Sequence, residues 1–145
     1  LGGAAGGLGP IGPTRSIDAD DVAEVLDEHV IGTLRIVQAC ADLLDRGRDP
    51  SVALFSGGGA TGPFPRYTAY ALAKVATVRL VENLAAEEPG WRVNAVAPGF
   101  VATGIHRATL ALPAEQVGPY REETRRRLRD AAPPEEAAAL VAFLL

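Results

Sequence analysis

Two short apolar runs constrain the fold of this 145-residue chain more tightly than any other feature. SVALFSG (residues 51–57) and WRVNAVAPG (residues 91–99) are short, apolar, and closed by glycine or by proline-glycine. Each is predicted to be a buried strand. Helix-forming stretches surround them. Residues 16–47 read as one long amphipathic helix, with Val22, Leu26, Val30, Leu34, Val37, Ala41 and Leu44 at helical spacing. Ser16 or Asp18 is placed to cap it, Asp20 and Asp21 suit its positive end, and Gly47 stops it. A second helix is predicted over 68–88, ending before Pro89-Gly90. Residues 112–131 are helical but polar and interrupted by Pro113 and Pro119, and a final helix starts at PPEE, with Pro134 near its first turn. Continuous apolar strands alternating with helices specify an α/β fold with a parallel sheet covered on both faces. Two strands are too few to separate two helical layers. The expected architecture is therefore a single partial domain over residues 1–145, an incomplete α/β/α sandwich.

Composition narrows the functional classes. The chain is 48% hydrophobic and 22% charged, with a net charge of −4. That balance fits a globular protein and argues against a nucleic-acid partner, which calls for a basic face. No apolar run reaches the length of a membrane span, and the first residues lack the layout of a signal peptide. Cys40 is the only cysteine, so neither an intramolecular disulfide nor a cysteine metal cluster is expected, and a reducing, cytoplasmic setting fits. The absence of methionine, the start at Leu1 and the apolar ending LVAFLL read as a fragment, with material missing at the start and at the end.

The stretch GLGPIG (residues 7–12) matches the dinucleotide-binding pattern G-x-G-x-x-G. The pattern has physical meaning only between a strand and a helix whose N–H groups point at phosphates. Here LGGAAG precedes it, too short and glycine-rich for a buried strand, and Pro10 removes a donor from the loop itself. It reads as a flexible glycine-rich connection.

The candidate chemistry lies in YTAYALAK. Tyr70 and Lys74 stand four apart on a predicted helix and share one face. Lys74 is the only lysine among 14 basic residues, which points to a task that arginine does not perform. A phenol near pKa 10 is a poor base at neutral pH, and an adjacent ammonium lowers that pKa, so that tyrosine can pass a proton to or from a substrate oxygen. The same spacing also suits a tyrosine packed on a lysine stem at a helix surface. Ser56 and its glycines end one strand just upstream, and PGFVAT ends the other downstream. Parallel strands open both ends on the same edge, where such sheets form their binding crevice.

With Tyr70-x-x-x-Lys74 and RVNAVAPGFVAT in this order of elements, the sequence resembles the short-chain dehydrogenase/reductase family over nearly the whole chain. The resemblance implies a Rossmann-like, doubly wound parallel sheet that binds NAD or NADP and transfers a hydride between nicotinamide and a small-molecule alcohol or carbonyl substrate. It implies that Tyr70 is the general acid/base and that Lys74 lowers its pKa and holds the nicotinamide ribose. It also implies that Pro98, Gly99, the backbone near Val101 and the Thr103 hydroxyl hold the carboxamide. LGGAAGGLG is similar to the family's Asn-Asn-Ala-Gly segment, with Gly6 at its glycine, on the adenine side of the cofactor. Nothing in the chain corresponds to the family's phosphate loop. Family members commonly form dimers or tetramers, so a homodimer or homotetramer is expected, with the two long helices at the subunit contact.

The sequence departs from the family pattern in several places. Gly3 and Ala4 replace the two asparagines. His29 stands where the family has a helix asparagine that supports a water linked to the lysine, and it either takes over that support or simply packs. An ungapped match puts Gly57 at the family's active-site serine, with Ser56 one position early. Ser56 either polarises the substrate carbonyl from a shifted loop or that role is lost, and Thr61 is a weaker substitute. Residues 121–130 (REETRRRLRD) read as a solvated helix face, in a region that caps the family's substrate pocket, and His106 reads as exposed. The losses leave a second reading open, a non-catalytic relative acting as a binding or assembly module. The 145 residues alone are expected to bind NAD(P)H poorly. A fluorescence titration of the isolated chain should detect no micromolar complex, and micromolar affinity would contradict this reading.

Overall fold

The computed structural model describes residues 1–3 and 6–145. Ala4, named above as a replaced asparagine, lies outside the described residues. The described sheet has three parallel strands in the order β1 (Gly2–Gly3), β2 (Ser51–Phe55) and β3 (Arg92–Val96). β2 is central, and its Val52, Ala53 and Leu54 are almost wholly shielded from solvent. The strand ladder runs from Ser51 opposite Arg92 to Phe55 opposite Val96, so both strands end on one edge, as predicted.

Two expectations about the sheet need correction. LGGAAG contributes a strand after all. Gly2 and Gly3 pair with Ala53 and Leu54, and backbone pairing with a pre-formed strand outweighs the poor strand propensity of glycine. The run 91–99 is less buried than predicted, because β3 has only one described neighbour, and only Val96 is fully buried.

The long first helix forms as α1 (Ala19–Leu26), a π-helical turn (Asp27–Ile31) and α2 (Gly32–Asp45). Of the two candidate caps it is Asp18 that acts, its carboxylate accepting from the Asp20 amide at 2.8 Å. The π turn was not anticipated, since one extra residue barely disturbs helical spacing. Such turns concentrate at functional sites. This one directs His29, 3% exposed, onto the loop after β1, where its Nε2–H donates to the Gly7 carbonyl at 2.9 Å. The ring lies so close to Gly6 (φ +117°) that a Cβ there would fall 2.1 Å from Nε2, which leaves glycine as the fitting residue.

Helix α3 (Thr68–Glu87) is the spine of the molecule. Ala69, Ala73, Thr77 and Val81 form a buried stripe at four-residue spacing. The two alanines let Val25 of α1 approach closely, and Val81 packs on Val52 and Leu54 of β2. A third cluster joins Leu8, Ile11, Tyr67 and Val117, flanked by Phe64, Tyr70 and Tyr120. Tyr67 is fully buried there, stacked on Phe64 at 4.5 Å and sharing a 2.8 Å hydrogen bond with Thr109. Beyond β3 come α4 (His106–Ala111), α5 (Ala114–Val117), α6 (Tyr120–Arg129) and α7 (Pro134–Leu144). Pro113 and Pro119 break the polar segment where predicted. α4 is an element that the sequence reading missed, six residues being too few to show a helical period.

Burial pushes the pKa of His29 down, and the charge of Lys74 adds to the effect. The unfolded chain then binds more protons than the native state between the depressed value and the ordinary imidazole value of about 6.5, so stability falls as pH drops through that window. In His29→Asn the decline of Tm between pH 7.5 and pH 5 should be shallower than in the wild type. Parallel melting curves across that range test this, and identical slopes would show that His29 is not the titrating group.

Candidate active site

The edge where β2 and β3 end carries two adjoining cavities of about 270 and 240 Å³. Their shared wall is Ser56, Tyr70, Pro98, Gly99, Ile105 and His106. The smaller cavity is also lined by Gly6, Lys74, Val101 and Thr103. Every residue nominated for cofactor contact therefore borders one space. His29, nominated for catalysis, does not. It stands behind the wall, edge-on to the Tyr70 ring at 6.0 Å between centroids.

Tyr70 reaches the cavities from the first turn of α3, where the aromatic cluster fixes its ring from one side and His29 from another. The other face of its hydroxyl meets Gly57. A Cβ on that glycine would sit 2.6 Å from Oη, so a side chain there would collide with the phenol. Gly57, the position that the ungapped match of the sequence analysis assigns to the serine, thus leaves room for the phenol in this arrangement. Ser56, the alternative, is 7% exposed and borders both cavities, with its amide bonded to the Val96 carbonyl at 2.9 Å.

Lys74 lies one helical turn further along, buried, with Nζ 3.0 Å from the Phe55 carbonyl and 5.3 Å from the centre of the Tyr70 ring. The two groups share a face as the spacing predicts, but the expected pKa shift is reversed. Burial pushes the Tyr70 phenol above its ordinary value, with a smaller contribution from Tyr120, and burial pushes Lys74 down. The ammonium is held by a strand carbonyl rather than by the phenol oxygen, so desolvation dominates.

The turn after β3 is pinned from two sides. Val101 bridges to Ala132 in parallel fashion, and its carbonyl accepts from Thr103 N at 2.8 Å and from His106 Nε2–H at 3.0 Å. The Val101 amide N–H has no protein acceptor among the described residues, and Gly99, at φ +76°, faces open space. His106 was expected to be exposed. It is half-buried, stacked on Phe100 at 4.0 Å, and borders both cavities. Only the presence of α4, which turns it inward, could have revealed this. Among the described residues no three His, Cys, Asp or Glu side chains converge as a metal-ligand set, and no helix is long and apolar enough to cross a membrane.

Comparison with known proteins bears on the family and the fold. A family model described as Enoyl-(Acyl carrier protein) reductase matches residues 3–145. Dehydrogenase/reductase SDR family member 4 of Bos taurus is 31% identical over 123 residues, covering 83% of this chain and 43% of the relative. The crystal structure of the KRED1-Pglu enzyme shares the fold with a TM-score of 0.89 at 24% identity, covering 97% of this chain and 59% of that one. An NAD+-bound xylitol dehydrogenase superposes with a TM-score of 0.86 at 25% identity, over 99% and 60% of the two chains. The chain thus spans roughly half the length of such relatives, 43% in the bovine case. The sequence, the Rossmann-type sheet and these likenesses agree: the chain belongs to the short-chain dehydrogenase/reductase family of oxidoreductases.

Proposed function

We propose that this chain forms the catalytic half of an NAD- or NADP-dependent oxidoreductase acting on a small alcohol or carbonyl compound, with Tyr70 as its proton relay. The observation that carries this reading is the convergence of Tyr70, Lys74, Ser56 and the Pro98–Thr103 turn on one space at the strand ends. The residues fit a nicotinamide nucleotide. The Val101 N–H and the Thr103 hydroxyl are available to a carboxamide, Gly6 and Gly99 present bare backbone, and Lys74 borders the same cavity. The solved xylitol dehydrogenase holds NAD+ in a fold of this kind. When bound, the nicotinamide supplies or takes up the hydride.

The protein's own part is protonic and electrostatic. Tyr70, with its pKa raised by burial, is a neutral phenol at physiological pH, the state needed to protonate a carbonyl oxygen during reduction. Tyr70 borders both cavities, which suits a group set between a substrate and the hydride source. The phenolate left behind is stabilised by Lys74 nearby and regains a proton from solvent. Ser56 borders the same space and donates to the carbonyl oxygen, the task that Gly57 lacks the side chain to perform.

The exposed apolar side chains of α2 (Ile36 and Leu43) and α3 (Leu72 and Val75) favour contact with a second copy of the chain, as a homodimer or homotetramer. For Tyr70→Phe in the complete protein, kcat should fall by about 10²- to 10⁴-fold, the usual loss when a general acid/base is removed. Steady-state kinetics with a panel of ketones and alcohols measures this. Turnover unchanged from the wild type would exclude Tyr70 as the relay and support the binding-module reading. Gly57→Ser should also lose activity, because the new side chain displaces the phenol. A Gly57→Ser enzyme faster than the wild type would show that Gly57 does not seat Tyr70.

A further inference from the structure

The larger cavity, about 270 Å³, is small for a ligand site and mostly apolar and aromatic. Phe64, Phe100, Ile105 and Tyr120 supply much of its wall. One lining residue carries a full positive charge, Arg127 of α6. The polar run 121–130 was expected to be a solvated face, and most of it is, Arg127 included, but Arg127 also borders the cavity. Its guanidinium carbon lies 5.9 Å from the centre of the Phe100 ring, a cation–π contact that orients the group.

The charge of Arg127 is only partly answered. Its Nε–H donates to Glu123 Oε1 at 2.5 Å, but the same carboxylate also accepts two hydrogen bonds from Arg126, at 2.7 and 2.9 Å. Two guanidinium groups thus share one carboxylate, whose pKa they hold down to about 2. The terminal nitrogens of Arg127 have no protein acceptor among the described residues. The helix around it carries five arginines and two glutamates, a net positive charge. A planar cation with a free donor fork, set in an apolar wall, is the arrangement that recognises a carboxylate.

We propose that Arg127 is a specificity-determining residue, and that the substrate is an oxo acid or hydroxy acid whose apolar body lies against Phe64, Phe100 and Tyr120 while its carboxylate pairs with Arg127. This inference rests on the oxidoreductase reading for the identity of the reacting carbonyl, but the recognition of the carboxylate is a binding property that stands apart from turnover. Arg127 also borders the space that Tyr70 enters, so the carboxylate end and the reacting carbonyl end of one small molecule fall within a single cavity. A neutral ester of the same acid keeps the apolar body and loses the charge-assisted pair.

The test uses the complete protein with saturating NAD+ or NADP+. Benzoylformate, benzoylacetate and 3-benzoylpropionate are each titrated against their methyl esters by calorimetry, and their reduction is followed with NADH and NADPH. At least one acid should bind on the order of 10- to 100-fold more tightly than its ester, the range expected for a charge-assisted hydrogen-bonded pair. Arg127→Gln should bring that ratio close to one, and Arg127→Lys should leave an intermediate preference, since the charge remains but the fork is lost. Failure of all six compounds to bind, esters binding as well as acids, or a ratio that survives Arg127→Gln would each overturn the assignment. Should Arg127→Gln fail to fold, the wild-type ratio and Arg127→Lys decide the matter in the same way. An Arg127-dependent ratio without nicotinamide-dependent turnover would sink the oxidoreductase reading and leave the carboxylate site standing.

Discussion

The contact between the Tyr70 hydroxyl and the bare backbone of Gly57 is the constraint on which the rest of the site depends. Helix α3 is held on the sheet by Val81, which packs on Val52 and Leu54, and the phenol of Tyr70 leaves no room for a side chain at the end of β2. On its other side α3 packs on α1, where Ala69 and Ala73 leave space for Val25, and close packing of this kind makes the position of the phenol a property of the whole fold. His29 and the aromatic cluster close the remaining directions. A ring held on every side except that of the cavities is pre-organised, and pre-organisation of a proton donor is where much of the catalytic effect of such groups resides.

Burial sets the electrostatics of the site as firmly as its geometry. Tyr70 and Lys74 are both desolvated, and each is displaced towards its neutral form. The carbonyl of Phe55 holds the lysine at the strand end, so its charge acts on the phenol through space and not through a direct hydrogen bond. The neutral phenol suits the reductive direction. Arg127, half in solvent, lines the same cavity as Tyr70 and brings a guanidinium to it.

Much of this was legible in the sequence because it rests on local patterns. Short apolar runs closed by glycine and proline reveal the strands, and a parallel pair necessarily opens on one edge. The four-residue step from Tyr70 to Lys74 fixes their shared helix face, and the PGFVAT turn follows from the end of β3. What was hidden depends on contacts between distant segments. Gly2–Gly3 becomes a strand only because β2 offers a partner, and the π turn at His29 leaves the hydrophobic period almost intact. The reversed shift of the Tyr70 pKa comes from burial depth, which spacing does not encode. His106 looked like a surface residue because α4, which carries it, folds back over the cavity, and that return is set by the aromatic cluster around Tyr67.

The central claim is that the strand-end cavity seats a nicotinamide with Tyr70 at its edge as the proton donor. A crystal structure of the complete protein with NAD(P)+ tests it most directly. The account predicts the carboxamide on the Val101 amide and the Thr103 hydroxyl, Lys74 on the ribose, and the Tyr70 oxygen facing the reactive face of the nicotinamide. A nucleotide bound elsewhere, or a nicotinamide in this cavity with the Tyr70 hydroxyl turned away from it, would contradict the account.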